Sequence, residues 1–392
     1  MADVRPFRGL YFASSRAPLS RVLCPPYDVI GPEQARRLRR EALNAVHLEL
    51  PEGSGARKYR NAARTLRRWI RSGVLVRDEE PAFYVCEERF RFGGRLRRRL
   101  GFLAALGVSP SAAKAVLRHE RTLAKPKADR LRLLKAVRAN TSPVFGIFPD
   151  ARKTVRRALA FASRSGPLAS GTAPAGARYR LWRLSDPRCL AVIRRSLARK
   201  SILIADGHHR YEASRRYWES SRSPALETTL AYLCPEEDAG LIVLPTHRIA
   251  GAALAAAARR TCRLRPCRSR PELLRRLERC ADPYAFGLCR EGHWLAVPKS
   301  RRGCRSGLCV EWLARVLLRG LKPERILYTP DAAKACALAK KLKGAAVFVK
   351  PFRVSQIRRA VRAVGLLPPK STYFYPKIAT GLAFKPLERA LP

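Results

Sequence analysis

The chain has 392 residues, 47% of them hydrophobic, and a formal net charge of +50. Apolar runs recur along its whole length, which excludes a disordered tail and supplies material for a sizeable core. No apolar stretch reaches the length of a membrane span, and MADVRPFRGLYFA at the start lacks the apolar run of a signal peptide, so the expectation is a cytoplasmic protein with no membrane partner.

In chain order, "FRGLYFA" and "RVLCPPYDVI" read as short strand-like runs, with Pro25-Pro26 fixing an extended turn. Gly31-Pro32 opens a helix through Leu43. "NAVHLELPEG" reads as a strand ending in a turn. Residues 56–72 carry helical periodicity, with Tyr59, Ala62, Ala63, Leu66, Trp69 and Ile70 on one side. "AFYVCEERFRF" and "RLRRRLGFLAALGV" flank Gly93-Gly94 and predict a long hairpin. Residues 127–139 predict an amphipathic helix and "SPVFGIF" a strand. The piece from Ser163 to Gly176 reads as a loop or insert. Then come the strand "RYRLWRL", a helix over 187–199, the strand "SILIAD", a helix from His208 to about Glu219, and strands at 227–234 and 241–245. Beyond 250, helices near 251–260, 271–279, 309–319, 331–342 and 353–364 alternate with "AFGLCR", "HWLAVP", "RILYTP" and "AAVFVK". The order predicts a mixed α/β (α+β) protein in three lobes, 1–110, 111–250 and 251–392. Trp69 and Trp182 read as core.

Basic residues recur in nearly every predicted helix, as at Arg36-Arg37, Arg67-Arg68, Arg259-Arg260 and Arg358-Arg359. A dedicated DNA reader concentrates charge on one face. The spread here reads as arginine filling solvent faces, with nonspecific nucleic-acid binding at low salt as its consequence. The eleven cysteines are an odd number without an export signal, which points to free thiols. Cys262/Cys267 and Cys304/Cys309 do not form the tight Cys-x-x-Cys knuckle of a structural zinc site.

Chemistry concentrates in "SILIADGHHRYEAS", 201–214. A buried-type strand ends in Asp206, Gly207 permits a sharp turn, and Gly207, His208, His209 and Arg210 fall in the first turn of a helix. There the backbone N–H groups and the helix dipole favour an anion. Arg210 adds a bidentate phosphate contact, and His208 or His209 can donate to phosphate or shuttle a proton. Asp206, at the strand's end, is placed for Mg²⁺ or for a substrate hydroxyl or ammonium group. The plainer alternative makes Asp206 a helix cap and the histidines surface residues, yet a cap alone does not call for Gly-His-His-Arg after it. In "VLRHERTLAKPKADR", 116–130, Glu120 reads equally as a general base or as a partner of Arg118 or Arg121. "NTSPVFG" offers Asn140, Thr141 and Ser142 as a turn. "LPTHRI" places His247 and Arg248 at a strand end. In "PPKSTYFYPKIATG", 368–381, Lys370 to Thr372 are candidates for ligand contact and the aromatics for core. No Walker loop, dinucleotide glycine motif or protein-kinase signature occurs.

Several stretches together resemble a bacterial family, the domain of unknown function 1015. They are "CPPYDVI" (24–30), "NAVHLELPEG" (44–53), "HERTLAKPKADRLRLLKAVRANTSPVFGIFPD" (119–150), "IADGHHRYEA" (204–213), "GLIVLPTHR" (240–248) and "KSTYFYPKIATGL" (370–382). A second resemblance is narrower. "HE" followed by an apolar strand and "DGHHR" looks like the ParB/sulfiredoxin-like fold and its free serine kinases, over residues 110–220.

That second resemblance implies a nucleotide-binding core within 111–250. Gly207, His208, His209 and Arg210 would take the phosphates of ATP or ADP; Lys370, outside the matched stretch, is a further cofactor-binding candidate on its own residue pattern. Asp206 would face Mg²⁺ or the substrate, and Glu120 would be the base on the acceptor hydroxyl; the imidazole of His209 is the catalytic candidate for moving a proton. The implied activity is phosphoryl transfer to a small hydroxylated metabolite, with free L-serine the first candidate. Two other readings stand beside it. One is a ParB-like nucleotide-binding regulatory or nucleic-acid-associated protein, suggested by the charge. The other is a metal-dependent hydrolase built on His119, His208, His209 and His247.

Overall fold

The structure, a computed structural model, describes residues 1–120, 122, 124–173 and 176–387. It is mixed α/β and divides into two compact units. Among the described residues, the first unit takes in Met1–Leu117, those within 122–241 and the stretch from Pro376 on, and the second takes in 118–120 and Ile242–Tyr375. The first unit thus combines residues expected in the lobes at 1–110 and 111–250 and adds a segment from the third.

The first unit is built on a nine-stranded mixed sheet. Its strands are β1 (Val4–Arg5), β2 (Phe83–Phe92), β3 (Arg95–Gly107), β4 (Val116–Leu117), β5 (Val144–Phe148), β6 (Ala169–Thr172), β7 (Arg178–Leu184), β8 (Ile202–Asp206) and β9 (Thr228–Pro235). They run in the order β4-β8-β5-β9-β3-β2-β7-β6, with β1 beside β3 at Leu106 and Ala105. β4 is parallel to β8 and β5 is parallel to β9, while the remaining pairings are antiparallel. The hairpin β2–β3 turns at Gly93 and Gly94, with φ of +57° and +75°, the left-handed backbone that two-residue hairpin loops demand.

Alternation along these strands separates two faces. Phe83, Val85, Phe102, Ala104, Ile202, Ile204 and Leu233 are buried on one, under the helices Thr154–Ala162 and Pro187–Ala198, which add Val155, Leu159, Ile193 and Leu197. Each such fully buried Val, Leu, Ile or Phe side chain contributes roughly 1.5–3 kcal/mol. The helices Ala124–Val137 and His208–Ser221 pack together, and Gly55–Arg71 buries Tyr59, Ala62, Ala63, Leu66 and Trp69, the face its periodicity predicts.

The second unit holds a six-stranded antiparallel sheet. Its strands are β10 (His247–Ala250), β11 (Cys262–Cys267), β12 (Phe286–Cys289), β13 (His293–Pro298), β14 (Leu327–Thr329) and β15 (Ala345–Phe348), in the order β11-β13-β12-β15-β10-β14. Ile249, Leu273, Leu277, Leu295, Ala335, Ala346 and Phe348 form its core.

Four local expectations change. "NAVHLEL" is not a strand: Val46–Glu49 is a helical turn. Asn44 decides this, accepting the Val46 N–H at 3.0 Å and donating to the carbonyls of Arg21 and Leu23 at 2.7 and 3.1 Å, so local hydrogen bonding overrides strand propensity. "RVLCPPYDVI" closes the short helix Leu19–Val22 and forms a 3₁₀ turn at Tyr27–Val29. The expected loop at 163–176 contains the edge strand β6, its residues 174 and 175 lying outside the described set. The helix near 309–319 is one α-turn, Cys309–Trp312, continued by a wider π-turn, Leu313–Leu317.

Candidate functional site

Ile202 and Ile204 of β8 face the apolar core, and strict alternation would send Asp206 after them. A bulge prevents it: Ile204 pairs with Gly146 and Asp206 with Phe145, so Ala205 is an extra residue and the phase shifts. Gly207 follows at φ +87° and opens the helix His208–Ser221 without a capping side chain. A β-carbon there would come within 3.0–3.1 Å of the Arg210 guanidinium. Both the backbone angle and the arginine folded over the turn therefore select glycine.

Arg210 ties three segments together. One terminal nitrogen donates to the Ser142 hydroxyl and the Pro143 carbonyl, just before β5, and the other donates to Asp206 Oδ2 at 2.7 Å. Its Nε is buried and has no hydrogen-bond partner. The second oxygen of Asp206 accepts from Lys377, whose Nζ also lies 3.5 Å from Asp28. Lys377 and Asp28 reach one place because Cys24 and Thr380 exchange backbone hydrogen bonds of 3.1 and 2.8 Å. Burial pushes the Asp206 carboxyl up, but Lys377 and then Arg210 outweigh it and hold the group at about 2. Burial likewise pulls Lys377 down, and the opposing attraction of Asp206 and Asp28 leaves it raised.

A second polar cluster adjoins this one. Arg130 lies 4.1 Å from the Tyr27 ring centre and donates to the Glu49 carbonyl at 2.9 Å. The Tyr27 N–H and the Thr141 hydroxyl each reach the Glu49 carboxylate at 3.3 Å. Burial drives the Tyr27 hydroxyl to about 12. A cavity of about 30 Å³, lined by Glu49, Arg130, Asn140, Thr141, Ser142 and Arg210 among others, has room for one or two waters.

Asp28, Glu49, Arg130, Ser142, Asp206, Arg210 and Lys377 come from six separate stretches of chain. Asp206, Gly207 and Arg210 were expected at such a site; Asp28, Glu49 and Lys377 were not. The signal for these three was their place in "CPPYDVI", "NAVHLELPEG" and "KSTYFYPKIATGL", the blocks on which the family resemblance rests. His208 is buried and His209 half-buried at the start of the helix. Lys370 lies in the second unit at φ +57°, its carbonyl 3.4 Å from an Arg248 nitrogen.

Glu120 and His119 also belong to the second unit. The Glu120 carboxylate accepts the backbone N–H groups of Ser371 and Thr372 at 3.0 and 3.3 Å, and His119 Nε2 lies 2.7 Å from the Thr372 hydroxyl. His119 is fully buried. Both residues thus hold the turn at 368–372. His247, in the same unit, accepts the Val349 N–H at 3.3 Å; burial, then Arg248, brings it down to about 4.

The donor set does not fit a Mg²⁺ ion on Asp206. Each carboxylate oxygen already holds a cation, and a divalent ion there would face both. The four-histidine metal site also fails on donors: among the described residues, the one group of three His, Cys, Asp or Glu ligand atoms within 4.8 Å of one another is Cys289, His293 and Cys336.

The chain belongs to the protein family of unknown function DUF1015, whose model matches residues 4–315. No curated protein matches the chain. Among solved structures it is similar to a conserved hypothetical protein from Pyrococcus furiosus, at 14% identity and TM-score 0.39, covering 71% of this chain and 92% of that one. A free serine kinase in complex with AMP gives 13% and 0.38, over 70% and 86%. SbnI with C-terminal truncation from Staphylococcus aureus gives 9% and 0.40, over 71% and 85%. No helix among the described residues is long and apolar enough to cross a membrane.

Proposed function

We propose that the Asp206–Arg210 turn binds the phosphates of a nucleotide, ATP or ADP, and that the protein passes a phosphoryl group to a small hydroxylated metabolite, free serine first. The observation that carries this reading is the pairing of two cations, Lys377 and Arg210, on one carboxylate at a helix start, with the buried Arg210 Nε left without an acceptor. An anion at this point meets the positive end of the helix and gives both cations a further acceptor. Asp206 then serves as the fixed charge that keeps Lys377 and Arg210 in place. The Gly207-to-Arg210 turn resembles the phosphate cradle of the free serine kinases, and that resemblance supports nucleotide over inorganic phosphate. It also makes Glu120 the base on the acceptor hydroxyl, and His209, as an imidazole at the same turn, is the proton carrier.

Thermal shifts with ATP, ADP, CTP and GTP test the binding. One nucleotide should raise the melting temperature of the wild type by mass action. Arg210→Lys and Lys377→Met should lose most of that rise while keeping the wild-type circular dichroism. An equal rise in both variants would overturn the assignment. Serine phosphorylation is then assayed by mass spectrometry, and Glu120→Gln should abolish turnover and leave nucleotide binding intact.

A further inference from the structure

The second unit brings together soft ligands that the sequence keeps apart. Cys267 in β11, His293 in β13 and Cys289 in β12 stand directly opposite one another across three neighbouring strands. Residues so paired project from the same face, their β-carbons about 4.5–5.5 Å apart. The helix Ala332–Lys341 contributes Cys336, which borders the same apolar cluster as Cys267 and Cys289. The sulfurs of Cys289 and Cys336 are 3.3 Å apart. These two sulfurs and a His293 ring nitrogen all lie within 4.8 Å of one another, at half-buried positions.

We propose that Cys289, His293 and Cys336 bind one zinc ion. Two thiolates at ~2.3 Å and an imidazole nitrogen at ~2.0–2.1 Å from a tetrahedral zinc lie ~3.6–3.8 Å from one another. The observed triangle reaches that arrangement with small side-chain movements. A disulfide would need the sulfurs at ~2.05 Å and would leave the placement of His293 without purpose. Binding displaces the two thiol protons, so two thiolates and a neutral imidazole bring Zn²⁺ to zero net charge. Thiolate with imidazole selects zinc over hard cations such as Mg²⁺. The fourth position falls to water or to Cys267, the next residue in the row. Cys267 Sγ lies 3.6 Å from an Arg276 nitrogen, and that cation matches the charge of a third thiolate. The ion would pin the helix Ala332–Lys341 to the sheet, which makes this site structural and independent of the nucleotide reading.

The test uses the full chain, purified with reduced thiols and no chelator, with zinc measured by elemental mass spectrometry. About one zinc per chain is expected, kept through desalting, and Cys336→Ser and His293→Ala should each weaken retention by roughly tenfold or more. Cobalt(II) loaded into the wild type should give a thiolate-to-metal charge-transfer band, a readout that needs no variant to fold. Wild type that takes up no zinc or cobalt overturns the proposal. So does a Cys336→Ser variant that keeps its metal, or a Cys289–Cys336 disulfide in the protein as purified.

Discussion

Arg99 and Arg210 each pair with a carboxylate in the first unit, Glu88 and Asp206. Arg99 and Glu88 stand opposite one another on β3 and β2, and neither side chain has any exposed surface. Tyr179, opposite Glu88 on β7, donates to its other oxygen, and Arg99 also donates to the Pro376 carbonyl at 2.8 Å. The Phe145 ring centre lies 5.0 Å from the guanidinium. At the turn, by contrast, Arg210, Asp206, Lys377 and Asp28 keep 10%, 17%, 13% and 26% of their side-chain surface. Burial pushes Glu88 up past the pull of Arg99 and Tyr179; at Asp206 two cations defeat the same burial. The sealed pair holds three strands in register. The open cluster sits at a strand end and a helix start and still faces solvent. Of the two, the second is where a ligand can exchange contacts with the protein.

The largest expected effect falls on the sealed pair. Arg99→Met leaves Glu88 buried without its cation, which costs about 3–5 kcal/mol. Urea unfolding measures it, and an Arg99→Met/Glu88→Leu double variant should recover much of the loss. A single variant within about 1 kcal/mol of wild type would break the distinction between the two arginines.

At the open cluster the cost is smaller and depends on pH. The Asp206 carboxyl sits at about 2, against an ordinary 3.8. Its folded value is depressed, so its contribution is complete above about pH 4 and is lost as pH falls toward 2, about 2 kcal/mol in all. Asp206→Asn should remove that part of the acid dependence: the difference in unfolding free energy between the two proteins should shrink steadily from pH 4 to 2. A constant difference over that range would mean that Lys377 and Arg210 do not hold the group down.

Gly207→Ala tests the turn itself. A left-handed φ of +87° and the guanidinium 3.0–3.1 Å away cost an alanine about 1–2 kcal/mol. The nucleotide-dependent thermal shift should fall with it, because Arg210 must move. A variant with unchanged stability and full nucleotide response would show that the fold over Gly207 is not needed.

These sites were unequally legible. The helix Gly55–Arg71, the hairpin at Gly93-Gly94 and the strand-to-helix turn at 206–208 follow from periodicity and glycine, which are local signals. "NAVHLEL" misled because Asn44 draws its capping partners from residues 21 and 23. Lys377 was hidden for a similar reason: it reaches Asp206 through the pairing of Cys24 with Thr380, a contact across most of the sequence. Lys370 carried the same charge within the same block. Likewise, Cys289, His293 and Cys336 have no recognisable spacing until β11, β12 and β13 are paired and a helix lies over them.

The smallest expected effect supplies the reference for the others. Arg215 and Glu219 are one helical turn apart on His208–Ser221, 3.0 Å from each other, with 31% and 38% of their side-chain surface exposed. Water screens such a pair, and holding two long side chains in place opposes what attraction remains. Arg215→Ala should therefore change stability by no more than about 0.5 kcal/mol and leave the nucleotide response intact, although it removes a positive charge from the same helix as Arg210. Measured beside Arg210→Lys, it separates position from charge. If Arg215→Ala weakened the nucleotide as strongly as Arg210→Lys, binding would follow the overall positive field of the chain, and the turn at Gly207 would have no special claim on the phosphates.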